Sequence, residues 1–230
     1  GQGISNVVIQ IIAAETGINP EIIKVEMDTE AGLTTGMTTS SRATVLLGNA
    51  VIEASRKLNA DLKTTSLAEL AGNKYAGYSE CNWTTKPGAD VEKIVTHFSY
   101  GYATQLVVLD ETGKINKVVA AHDAGKIMNK AMFEGQIEGG VVMGLGYALT
   151  EDLPMENGFL KSDKLKDCQL PKAKDVPEIE VIGVEVEDSF GPYGAKGIGE
   201  IGLIPTAAAV ANAFYQFDKK RRFSLPLKRK

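Results

Sequence analysis

Phe190-Gly191-Pro192-Tyr193-Gly194-Ala195-Lys196-Gly197-Ile198-Gly199-Glu200-Ile201-Gly202 places five glycines, one proline and a single carboxylate in thirteen residues. Glycine is used where the backbone takes a positive φ or where something bulky comes close. So many of them beside one acid predict a cofactor or substrate lying against bare backbone, with Glu200 facing it. The stretch also decides what the fold is not. Gly197-x-Gly199-x-x-Gly202 matches the dinucleotide-binding fingerprint in letters, but that fingerprint follows a strand and is answered by an acid at a strand end about twenty residues later. Here Phe190 to Lys196 is turn-forming and Asp218 falls at a helix end. A nucleotide-binding fold is set aside.

Downstream, Leu203-Ile204-Pro205-Thr206 leads into a small-residue helix from Ala207 to Phe217. Upstream, Ile179, Val181, Val184 and Val186 predict a strand whose parity slips at Gly183, the mark of a bulge. Before it, residues 154–178 form a Pro-interrupted connection, and Phe133 to Thr150 reads as a helix with Gly139, Gly140, Gly144 and Gly146 inside. Glycine costs roughly 1 kcal/mol against alanine in a helix. Close packing and an approaching ligand are equally good reasons for these. Leu106-Val107-Val108-Leu109, the turn Asp110-Glu111-Thr112-Gly113 and the run Ile115 to Ala121 make a β-hairpin that delivers His122 and Asp123 at its end. That pair reads either as an acid–base couple or as polar groups tying down a strand end.

Towards the N-terminus, Ile4, Val7, Val8, Ile11 and Ile12 repeat at helical spacing, and Gly17 stops the helix. Ile23, Val25 and Met27 alternate with Lys24, Glu26 and Asp28 as in a half-buried strand. The hydroxyl-rich loop Gly32 to Arg42 enters a helix whose apolar face is read as Leu47, Val51, Ala54 and Leu58. Ser66-x-x-Glu69 has capping-box form and opens a short helix ending at Gly72. Residues 73–100, His97 among them, carry no assignable pattern. The mixture is α+β with mixed or antiparallel sheets and packed helices, not a βαβ alternation.

At 230 residues, 43% hydrophobic and 23% charged, the chain is an ordinary globular protein with room for one large or two small cores. Its net charge of −4, with acids and bases interspersed, gives no nucleic-acid footprint, and the basic tail at Lys219-Lys220-Arg221-Arg222 and Lys228-Arg229-Lys230 reads as a solvated end. Cys81 and Cys168 are too few for a zinc or iron–sulfur site. No apolar run approaches the ~20 residues of a membrane span, and no nucleic-acid or membrane partner is expected. A cytoplasmic location is expected. Gly1-Gln2-Gly3 is not a natural start, so the chain is expected to be one piece of a longer polypeptide or a fragment.

Four stretches together carry a resemblance. They are Gly1-Gln2-Gly3; Thr38-Thr39-Ser40-Ser41 with Gly48-Asn49-Ala50-Val51; Gly135-Gln136-Ile137-Glu138-Gly139-Gly140-Val141-Val142-Met143-Gly144-Leu145-Gly146; and Lys196-Gly197-Ile198-Gly199-Glu200. In this order the chain resembles the molybdenum hydroxylases of the xanthine dehydrogenase and aldehyde oxidoreductase family. The likeness is to the C-terminal half of their molybdopterin-binding subunit. It runs nearly end to end, through Asp175-Val176-Pro177-Glu178-Ile179 to Ser224-Leu225-Pro226-Leu227. The implied organisation is a C-terminal molybdopterin-binding part over residues 1–230, in one α+β domain or in two subdomains with a boundary within 60–105.

The resemblance implies a role for each matching position. Gln2 and Gly3 belong to a turn that contacts the pterin, Ser40 and Ser41 to a loop beside the molybdenum, and Gln136 to a glycine-rich helix that touches the cofactor. Gly199 approaches the cofactor beside Glu200, which matches the catalytic glutamate. Lys196 accompanies it. The implied cofactor is of the molybdopterin type, a dinucleotide form being an alternative, and its own dithiolene holds the metal, so no protein metal ligand is expected. Iron–sulfur clusters and FAD are expected on partner chains, along with an N-terminal molybdopterin half and a small-molecule substrate. The activity implied is insertion of water-derived oxygen at an electron-poor carbon of an N-heterocycle or aldehyde, with Glu200 as general base. Glutamine amides, hydroxyls and glycine N–H groups are the donors that a pterin with a phosphate tail requires. A carboxylate among apolar walls has a raised pKa, which suits a base near neutrality, so such surroundings are expected for Glu200.

Plainer readings stand beside these. Glu200 could be a first-turn acid favoured by the helix dipole, and Ser40 and Ser41 could cap the next helix. Tyr193 and Met143 fit a core as well as a substrate wall. A scaffold module carrying cofactor contacts without turnover is the second functional reading, and an unrelated α+β enzyme using His122 and Asp123 is the third.

Overall fold

A computed structural model describes residues 2–33 and 36–227. Gly1 of the first motif, Thr34 and Thr35 of the hydroxyl-rich loop, and Lys228, Arg229 and Lys230 of the basic tail lie outside them. The chain divides into two compact units, each built from separated segments.

The first unit comprises Gly1–Gly101, Ala124–Met132 and Glu185–Gly197. Its helix α1 (Ile4–Thr16) buries Val8 and Ile11 and ends at Gly17, whose φ of 72° lets its N–H turn back to the Ala13 carbonyl. Helix α2 (Ala43–Leu62) packs on α1 through Val45, Gly48, Ile52 and Ser55. That face is offset from the one expected at Leu47, Val51, Ala54 and Leu58, which are half-buried flanks. The cause is Gly48: a Cβ there would lie 2.7 Å from Pro192 Cγ and 3.2 Å from Ile11 Cδ1, so the helix turns its smallest residue to its closest neighbours. Apolar periodicity cannot locate such a face.

Two local expectations are corrected in this unit. Residues 23–28 pair with no strand among the described residues, and Met27 is 79% exposed. Alternation describes a strand only when a neighbour supplies the ladder. Ser66 and Glu69 form only half of their box: the Ser66 N–H donates to Glu69 Oε2 at 3.0 Å, but Ser66 Oγ donates to that same carboxylate and the Glu69 N–H turns to the Ser66 carbonyl, so the pair closes only turns and no helix. Residues 73–100 are irregular, and Trp83, Phe98 and Phe190 form an aromatic cluster that ties this segment to the glycine-rich turn.

The second unit comprises Tyr102–Asp123, Phe133–Val184 and Ile198–Lys230. Strands β1 (Ala103–Leu109) and β2 (Ile115–Asp123) form the expected antiparallel hairpin, from Ala103 opposite His122 to Leu109 opposite Ile115, with an irregularity between Val108 and Leu109. The Asp110 carboxylate closes the turn by accepting from the Thr112 and Lys114 N–H groups at 2.9 Å each. Helix α3 (Lys130–Leu149) follows, then a two-residue ribbon of β3 (Met155–Glu156) and β4 (Phe159–Leu160).

Strand β5 (Glu178–Val184) adds to β2 in parallel, from Lys117 opposite Glu178 to Asp123 opposite Val184, completing a mixed sheet ordered β1-β2-β5. That register is unbroken, so the bulge expected at Gly183 is absent. The change of parity marks where the chain leaves the sheet after Val184. Lys117 bridges Glu178 at 2.9 Å and Glu180 at 2.7 Å. Helix α4 (Thr206–Asp218) packs on β1, burying Val210 and Phe214. The fold is α+β with a mixed sheet. No helix among the described residues is long and apolar enough to cross a membrane.

Candidate functional site

Within the first unit, Gly3 caps the start of α1 with a φ of 86°, and a Cβ on it would meet Met132 Sδ at 2.5 Å. Glycine is favoured there by the positive φ, since the flexible Met132 side chain could shift to make room. Gln2, just before it, is exposed. The serine pair stands in a rare backbone state: Ser40 has a φ of 57° and Ser41 of 52°. Left-handed backbone costs roughly 1–2 kcal/mol per non-glycine residue, and such strain collects at ligand-binding loops. Neither serine caps α2, whose N-cap residue is Arg42 with no side-chain cap bond. The capping reading is therefore set aside.

The first half of the glycine-rich turn closes this unit on itself. A Cβ at Gly191 would lie 1.7 Å from the Ala195 carbonyl oxygen, and one at Gly197 would lie 1.4 Å from that of Ser41. The Ser41 peptide thus sits directly on Gly197, which brings the serine loop and the turn together. Lys196 is 8% exposed and donates to the Tyr100 carbonyl at 2.9 Å. These glycines accommodate protein backbone, where the sequence predicted a ligand.

Within the second unit, Gln136 on α3 donates from Nε2 to the Gly199 carbonyl at 3.0 Å, joining two of the expected residues beside Glu200. Glu200 opens the 3₁₀ turn Ile201–Leu203 without capping it, and its side chain is exposed. The apolar walls expected around it are not supplied by this unit, which packs on the turn from behind, through Gly202. There a Cβ on Gly140 would lie 2.7 Å from the Gly202 Cα. Likewise a Cβ on Gly144 would lie 2.5 Å from Thr206 Cβ. Close packing thus explains Gly140 and Gly144. Gly139 has nothing within 4 Å, and the helix surface there is bare backbone.

Behind the turn lies a polar network that sequence reasoning missed. Gln105 on β1 donates from Nε2 to the Gly202 carbonyl at 2.7 Å and accepts from Thr206 Oγ1 at 2.8 Å. Its Nε2 also lies 3.2 Å from His122 Nε2. His122 and Thr206 are both fully buried. Burial pushes the His122 imidazole below its usual range. The only available signal was a lone amide among the apolar residues of a strand. His122 is sealed from solvent, which removes it as an acid–base catalyst. A groove between β1 and α4, lined by Leu106, Val108, Ala213 and Phe217, contains none of the expected site residues.

Each unit by itself presents polar groups suited to a polar ligand: the exposed Gln2 amide and the strained serine loop in the first, and the half-buried Gln136 amide beside Gly199 in the second. Among the described residues no cluster of His, Cys, Asp or Glu is placed to hold a metal ion. The chemistry of this donor set fits a pterin carrying its own metal ligands. Tyr193 and Met143 are both exposed, so neither is core.

Known proteins give the same answer. The molybdopterin cofactor-binding domain family matches residues 1–74 and 63–177, well over half of the chain. A xanthine dehydrogenase molybdenum-binding subunit from Escherichia coli is 39% identical over 101 residues, covering 43% of this chain and 13% of that protein. The 6-hydroxypseudooxynicotine dehydrogenase complex subunit gamma from Paenarthrobacter nicotinovorans is 33% identical over 93% of this chain and 32% of its own length. Among solved structures, the aldehyde oxidoreductase from Desulfovibrio gigas superimposes with a TM-score of 0.81 at 26% identity, over 98% of this chain and 27% of that one. The chain spans about a third or less of the length of these relatives. It belongs to the molybdopterin cofactor-binding domain family, and it is similar to a part of molybdenum-containing enzymes of the xanthine dehydrogenase and aldehyde oxidoreductase type.

Proposed function

We propose that this chain contributes the C-terminal part of a molybdenum-cofactor site in an oxidoreductase that inserts water-derived oxygen at an electron-poor carbon of an N-heterocycle or aldehyde. Gln2, Gly3, Ser40, Ser41, Gln136 and Gly199 bind the cofactor, of the molybdopterin type or its dinucleotide form. When bound, that group supplies a two-electron acceptor and acidifies a water. Glu200 is the general base, taking a proton onto its carboxylate from a water within hydrogen-bond reach. The observation that carries the reading is the Gln136–Gly199 hydrogen bond at 3.0 Å, which fixes the peptide just before an exposed Glu200.

The low-polarity surroundings that a base requires come from regions that the relatives possess and this chain does not span. Activity accordingly needs partners: an N-terminal molybdopterin half and iron–sulfur and FAD subunits that carry the electrons away. Two free cysteines suit a reducing, cytoplasmic setting. The test is Glu200→Gln in the assembled enzyme. Removing a general base is expected to lower kcat by about 10²–10⁴-fold with molybdenum content unchanged. Near wild-type turnover would overturn the assignment, and full activity of a complex lacking this chain would favour a scaffold instead.

A further inference from the structure

We propose that Gln105 is a positioning residue for Glu200, acting with Gln136 to grip the main chain on both sides of that carboxylate. Gln136 holds the Gly199 carbonyl at 3.0 Å, one residue before it, and Gln105 holds the Gly202 carbonyl at 2.7 Å, two residues after. The segment they grip begins and ends in glycine, so without restraint its backbone is among the softest in the chain. Position here cannot come from the side chain itself, because Glu200 is exposed.

The Gln105 grip is itself oriented. Its Oε1 accepts from Thr206 Oγ1 at 2.8 Å, and its Nε2 faces His122 Nε2 at 3.2 Å as well as the Gly202 carbonyl. An amide nitrogen is donor only, so His122 Nε2 accepts and the neutral ring carries its proton on Nδ1. That Nδ1 has no hydrogen-bond partner, so the ring has no competing bond to turn it away from Gln105. The buried His122 and Thr206 therefore fix which end of the Gln105 amide points at Gly202. On the opposite side Gly202 bears on α3, where a Cβ would stand 3.0 Å from the Ile137 carbonyl oxygen. The turn is held by two amides and a helix backbone, and Glu200 within it is exposed. For Gln136 this is a role beside its cofactor contact.

The proposal rests on Glu200 being the base, and its test separates the two ideas. Gln105→Met keeps length and removes both the donor and the acceptor. It is made in the assembled enzyme, alone and combined with Glu200→Gln. A misplaced catalytic group is expected to cost about 10–100-fold in kcat, with KM and molybdenum content unchanged. In the Glu200→Gln background the same change is expected to add little, because residues acting as a unit are non-additive. Independently of turnover, amide exchange at Leu203 and Ile204, whose N–H groups bond back to Glu200 and Ile201, is expected to rise at least tenfold while Val118 in the hairpin keeps its protection.

Loss of molybdenum in step with activity, an undiminished effect in the Glu200→Gln background, or unchanged exchange would each overturn positioning. An inactive Glu200→Gln beside a fully active Gln105→Met would sink the positioning role and leave the base intact. A fully active Glu200→Gln would remove the base and, with it, the object of the grip. Should Gln105→Met not fold, Thr206→Val, which keeps the shape and removes the donor that orients the Gln105 amide, is measured in the same cycle, with the same split between kcat and molybdenum content deciding.

Discussion

The His122 ring carries a pH dependence that can be measured without turnover. It is fully buried, its Nε2 accepts from Gln105, and desolvation holds its pKa below the ordinary value of about 6.5. The unfolded chain therefore binds a proton that the folded one refuses. Stability is full above pH 6.5 and falls as the pH drops from there toward the lower folded value. Amide exchange at Val118 and Ala120, corrected for intrinsic rate, is expected to quicken between pH 7 and pH 5.5, and His122→Gln is expected to flatten the change. A flat profile in the wild type would mean the ring is solvated. In sequence the residue stood out only as one of two histidines beside an acid, and an acid–base couple was as good a reading as a strand-end tie. Burial decided between them, and burial at a single position is not written in a strand's alternation.

Helix α3 offers a comparison between neighbours. Gly139 faces open space, whereas a Cβ on Gly140 would press on the Gly202 backbone at 2.7 Å. Gly139→Ala is expected to stabilise the fold by up to about 1 kcal/mol through helix propensity alone. Gly140→Ala is expected to destabilise it by about 1–3 kcal/mol through overpacking against backbone that cannot move aside. Denaturant unfolding of the two variants checks this, and effects of the same sign would refute it. Helices α1, α3 and α4 and the β1–β2 hairpin were legible in the sequence because each is a local matter of periodicity, capping and turn chemistry. What failed was non-local. The buried face of α2 follows Pro192 and Ile11 across the unit, residues 23–28 lack a ladder partner, and the supposed bulge at Gly183 is a strand end. The glycine-rich turn was legible as important but not as to why. Gly191, Gly197 and Gly202 are held by backbone, and only the identity of the neighbouring atoms could show it.

For the molecule as a whole, the expected cofactor residues divide between the two compact units, with Gln2, Gly3, Ser40 and Ser41 in one and Gln136, Gly199 and Glu200 in the other. The candidate site was legible through motif resemblance, which depends on order along the chain and needs no geometry. Its supporting residues Gln105, His122 and Thr206 were not, because they lie far apart in sequence and belong to none of the four motifs. The chain covers about a third of its longer relatives, so cofactor binding is expected to need the remainder of the molybdopterin-binding region. The deciding measurement is molybdenum and pterin content, taken on this chain alone and on the assembled enzyme from cells competent in cofactor synthesis. The account expects close to one molybdenum and one pterin per copy of this chain in the assembly and little in the chain alone. An assembly that contains this chain, is made in such cells and holds neither would contradict it.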